Sequence, residues 1–105
     1  MPLILIHGEK IESDVLKITD EQVGLKEPKE IELILFRNDD KKKLQIELQM
    51  PWGRYTVESF KYGNAKELST VQEIAKRRYS ALLEALKNRK AKIEMGKFFS
   101  IIVKE

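Results

Sequence analysis

The chain has 105 residues, 42% hydrophobic and 35% charged, with no cysteine and a formal net charge of +3. That balance suits one folded domain with its own core rather than a disordered chain. The missing thiols exclude disulfides and thiolate metal sites and favour a cytoplasmic setting, while the apolar runs Leu3 to Ile6 and Ile101 to Val103 are too short to cross a bilayer or act as a signal segment.

A charge of +3 is a weak indicator of a polyanion partner, because strongly basic nucleic-acid binders carry more and concentrate it on one face. Lysine supplies 15 of the 20 basic residues and glutamate 13 of the 17 acidic ones. This Lys/Glu excess resembles the composition of heat-adapted proteins, in which ion-pair networks cost less to desolvate.

In chain order, "PLILIHG" (2–8) reads as a short strand ending at a His7–Gly8 turn. Residues 9–29 fit neither the helical nor the strand period; one strand around 15–18 is expected, and Pro28 is expected to close the segment. "EIELILFR" (30–37) is apolar on both faces, through Ile31, Leu33 and Leu35 on one and Ile34 and Phe36 on the other. "KLQIELQM" (43–50) alternates strictly, with Leu44, Ile46, Leu48 and Met50 inward. The polar "NDDKK" between them suits a hairpin, pairing a central strand with a more peripheral one. Pro51 to Arg54 reads as a tight turn, and "YTVESFKY" (55–62) as the third strand of the meander.

Gly63-Asn64 breaks the strand pattern. Three capping-box spacings follow, Asn64 with Glu67, Ser69 with Gln72 and Thr70 with Glu73, and a regular helix is expected over about 69–88. At helical spacing Val71, Ile74, Ala75, Tyr79, Leu82, Leu83 and Leu86 form one broad apolar face. The cations Lys76, Arg77, Arg78 and Lys87 wind around the helix, with Glu73 placed to pair with Arg77 and Glu84 with Lys87. Arg78 falls close to the apolar face, where it is expected to snorkel towards water or a carboxylate. "KNRKAK" (87–92) gathers four cations without an acid, as a helix C-terminus favours. A strand over about 97–103 closes the chain, apolar enough for the inside of the sheet or for a second subunit. The fold expected is α+β: a mainly antiparallel sheet of about four to six strands, one amphipathic helix packed on one face, then a C-terminal strand.

The catalytic inventory is thin. His7 is the single histidine. Asn38-Asp39-Asp40 lacks the spacing, glycine and glutamate of a calcium loop. No phosphate-loop, nucleophile-elbow or dinucleotide fingerprint occurs. No catalytic residue, cofactor or metal ligand is therefore assigned, and an enzyme would need a site shared between subunits.

Two binding readings remain open. The first is a non-enzymatic interaction or assembly module that self-associates through an uncovered sheet face or the C-terminal strand, with Trp52, Tyr55, Phe99, Ile101 and Val103 as interface residues. The second is nucleic-acid binding through the cationic helix end, using Arg78, Lys87, Arg89, Lys90 and Lys92. No membrane partner is expected.

Overall fold

The computed structural model describes residues 8–20, 25–95 and 99–103. Strands β1 (Gly8–Asp20), β2 (Leu25–Asn38), β3 (Lys43–Met50) and β4 (Gly53–Lys61) form one antiparallel sheet in the order β1-β2-β3-β4. Helix α1 (Ala65–Lys87) lies across one face of it, and β5 (Ala91–Met95) with β6 (Phe99–Val103) makes a separate two-stranded antiparallel sheet. The expected α+β architecture, with one helix on a mainly antiparallel sheet, is what forms.

The strict alternation of β3 sets the register. Leu48 sits opposite Leu33 and Ile46 opposite Leu35, so one face is continuous aliphatic surface. Leu16, Leu25, Ile31, Leu33, Leu35, Leu44, Ile46, Leu48 and Met50 of the sheet close around Ala75, Tyr79, Leu82 and Leu86 of α1, together with Ile93 and Ile101. Because β2 and β3 are both interior strands, β3 is not the peripheral strand its wetted outer face suggested.

Several boundaries differ from expectation for identifiable reasons. The first strand is not confined to 15–18. β1 runs for 13 residues, and Ile11 sits at a bulge between the pairs Lys10–Phe36 and Glu12–Leu35. The bulge shifts the side-chain phase, which breaks the alternation that would have betrayed the strand. Gly8 is not a turn residue here, since it pairs with Asn38. A Cβ there would run into the carbonyl oxygen of Arg37 and lie 2.6 Å from Cζ of Phe36, so the close approach needs glycine. The expected 2–6 strand and His7 lie outside the described residues. Pro28 does not close its segment; it falls within β2 in the irregularity between Ile18–Lys29 and Asp20–Leu25, where no ladder N–H is required.

The helix starts at Ala65, earlier than 69, because Asn64 is the cap used. Its side chain accepts the Glu67 N–H at 3.0 Å, while Glu67 Oε2 accepts the Gly63 N–H at 2.8 Å. Ile74 is not on the packing face, being 51% exposed; the buried arc is Ala75, Tyr79, Leu82, Ala85 and Leu86. Glu73–Arg77 and Glu84–Lys87 do not close into ion pairs among the described residues, in keeping with the small gain such contacts make in water. The C-terminal strand is not inside the main sheet. It pairs with β5, a short strand the sequence did not announce.

The sheet face away from α1 is not the apolar surface expected from Ile34 and Phe36. Ile34 is 1% exposed. A polar row runs alongside it: Asn38 Nδ2 donates to Gln45 Oε1 at 3.1 Å, and Gln45 Nε2 donates to Thr56 Oγ1 at 3.3 Å. Lys10 meets Glu32 at 3.2 Å, and Arg54 meets Glu47 at 2.8 Å while lying 5.8 Å from the centroid of the Phe36 ring.

Candidate anion-binding groove

The C-terminal end of α1 is fixed by three backbone bonds. Asn88 N–H reaches the Glu84 carbonyl at 2.9 Å, Arg89 N–H the Leu86 carbonyl at 3.2 Å and Lys90 N–H the Ala85 carbonyl at 2.8 Å. The last two are the paired bonds of a Schellman turn, which demands a left-handed residue after the cap. That residue is Arg89, with φ of 57°, where glycine or asparagine would be less strained. The turn sends the chain directly into β5.

Between this turn, β5 and the far end of the β1–β2 pair lies a groove of about 810 Å³. Its apolar lining is Leu16, Ile18, Pro28, Leu86, Ala91 and Ile93, and its cations are Lys17, Lys87, Arg89 and Lys92. Thr19 is the remaining lining residue, and no acid contributes among the described residues. None of the four cations forms an ion pair with another described residue. Glu30 stands opposite Lys17 in the ladder without pairing to it. The groove therefore presents concentrated positive charge around an aliphatic floor, a combination suited to an anion with an apolar part.

Three of the five cations singled out in the sequence, Lys87, Arg89 and Lys92, meet here. Lys90 is exposed at the same turn but does not line the groove. Arg78 is elsewhere, where its Nε donates to both carboxylate oxygens of Glu58 on β4 at 2.8 and 3.0 Å. That hydrogen bond holds the guanidinium above its ordinary pKa against the opposing effect of burial. Arg78 is thus the snorkelling residue at the sheet margin and is committed to a partner. Lys17 was not singled out, since it belongs to a strand whose register the sequence hid.

The aromatic and C-terminal residues do not converge on the groove. Trp52 is 49% exposed at the β3–β4 turn, while Tyr55 packs against the core. Ile101 is buried in the core, and its neighbours Ile102 and Val103 are each 40% exposed. Phe99 is in β6, and its side chain lies outside the described residues.

Among the described residues Tyr79 is the most perturbed titratable group. Its hydroxyl lies 2.6 Å from Asp14 Oδ2 and 2.8 Å from the Leu33 carbonyl. Burial pushes its pKa well above the ordinary tyrosine value, and the neighbouring Asp14 carboxylate adds to the shift. These two contacts tie α1 to β1 and β2. Among the described residues no group of three or more His, Asp or Glu side chains could hold a metal ion, and no helix is long and apolar enough to cross a membrane. Comparison with family models, curated proteins and solved structures finds no match to this chain.

Proposed function

We propose that the protein is a non-enzymatic binding module that holds nucleic acid along the groove at the C-terminal pole of α1. One observation carries this reading: four cations from β1, α1, the Schellman turn and β5 line one groove, with no acid among its described lining residues. The neutral fold-level explanation, cations drawn to a helix dipole, accounts for Lys87 but not for Lys17 or Lys92, which come from strands. Binding should follow a log–log salt slope of about −3 if all four cations neutralise phosphates of a single strand. Replacing Lys17, Lys87, Arg89 and Lys92 with glutamine should lower low-salt affinity by roughly a hundredfold and flatten that slope. Neutralising Lys41, Lys42 and Lys43 at the β2–β3 hairpin serves as the control. Equal losses in both variants would reduce the groove to general surface charge and sink the assignment.

A second reading, self-association through β6, rests on the 40% exposure of Ile102 and Val103. These apolar side chains stand on a strand that ladders only with β5 among the described residues. Light scattering should then show a dimer that Ile102→Lys converts to monomer. A monomer at high concentration in the unaltered protein removes this reading. The polar, internally paired outer face of the main sheet gives self-association there no support.

A further inference from the structure

We infer that the groove takes a single strand in preference to a duplex, seating a nucleotide with its base against the aliphatic floor and its flanking phosphates on the cationic rim; this rests on the nucleic-acid reading above. The first reason is shape. A volume of about 810 Å³ lies within the range of sites that enclose small organic molecules. A duplex offers a convex rod with its bases stacked inside, so it could touch the rim cations but not fill the concavity. An unpaired strand can turn a base inward.

The second reason is the floor. Exposed Pro28 and half-buried Ile18 and Ala91 present apolar surface above the nearly buried Leu16, Leu86 and Ile93, which phosphate contacts alone would leave wet. The flat apolar face of a base removes that surface from water. The third reason is charge. A lone monoanion needs one or two cations, whereas Lys17, Lys87, Arg89 and Lys92 match several phosphates in a row. Arg89 strengthens the case, because it places a guanidinium at the groove by occupying a left-handed position that glycine would hold with less strain.

The lining also dictates specificity. Among the described residues it contains no Asn, Gln, Asp, Glu or aromatic side chain, and Thr19 is the single uncharged polar one. Base edges therefore have few partners to read them, and stacking is not available. The strand should be held with little sequence preference, by burial and phosphate contacts.

The test is fluorescence anisotropy on the full chain with three labelled probes: an oligothymidylate, an abasic strand of equal length, and a duplex of equal length. The oligothymidylate should bind at least roughly fivefold tighter than either of the others, and glutamine at Lys17, Lys87, Arg89 and Lys92 should abolish the difference. Equal or tighter binding of the abasic strand or the duplex, with the glutamine variant still impaired, overturns this inference and leaves the groove as a general polyanion site. Binding unaffected by the four substitutions, or no binding of any probe, overturns both.

Discussion

Arg89 combines two roles that substitution separates. Its φ of 57° satisfies the Schellman turn, and its side chain lines the groove. Arg89→Gly should relieve left-handed strain and stabilise the fold by about 0.5–1 kcal/mol, net of the greater freedom of the unfolded chain. The same change should weaken nucleic-acid binding, so thermal unfolding and affinity will move in opposite directions. Tyr79 is structural by comparison. Its hydroxyl has one proton for two nearby acceptors, and Tyr79→Phe leaves both without it, at a cost of about 1–3 kcal/mol in denaturant unfolding. The native state favours the protonated hydroxyl, so this contribution is complete below the ordinary tyrosine pKa of about 10 and declines as pH rises beyond it. Stability should therefore fall on the alkaline side. Tyr79→Phe should make that limb shallower without abolishing it, because Tyr62 is also shifted upwards, chiefly by burial.

At the scale of the element, α1 is held to the sheet by a narrow buried arc with Leu82 fully inside it. Leu82→Ala should cost about 2–5 kcal/mol through lost contacts and the cavity left behind. Leu82→Asp should leave no cooperative unfolding transition, because an unpaired carboxylate would lie in that arc. The helix was legible because its signals are local: a 3.6-residue period and the Asn64–Glu67 box lie within one stretch of chain. β3 was legible through its uninterrupted alternation and β2 over 30–37 through its run of apolar residues on both faces, whereas the start of β2 at Leu25 was not. β1 was not, for three reasons specific to it. Ile11 bulges, Val15 faces water, and Asp14 occupies an inward position made tolerable by the Tyr79 hydroxyl 65 residues away. The groove divides along the same line. Lys87, Arg89 and Lys92 belong to one visible run of charge, whereas Lys17 and the floor residues Leu16, Ile18 and Pro28 reach it only through tertiary register. Lys92 was visible as a cation but assigned to a helix end, when it is carried by β5.

For the whole molecule, ionic strength should separate stability from binding. The Lys/Glu-rich composition suggested ion-pair networks. The described pairs are largely isolated: Lys10–Glu32, Arg54–Glu47 and Arg78–Glu58, with Arg37 alone bridging two acids, Glu9 and Asp39. Partly exposed pairs of this kind contribute about 0–1 kcal/mol each. Raising sodium chloride to about 1 M should thus move the unfolding midpoint by only a few degrees while removing nucleic-acid binding. The wall that β1 and β2 give the groove has a mechanical consequence of its own. β3 pairs with β2 only from Glu32 onwards, so Leu16 to Ile18 and Leu25 to Ile31 belong to a two-stranded arm that overhangs the sheet. A ribbon of two strands bends and twists more readily than a sheet of four. The groove thus has one stiff jaw, made by the helix end, and one compliant jaw. Amide hydrogens along Leu16 to Thr19 should exchange faster than those of β3 in the free protein, and a bound strand bridging the jaws should slow them selectively.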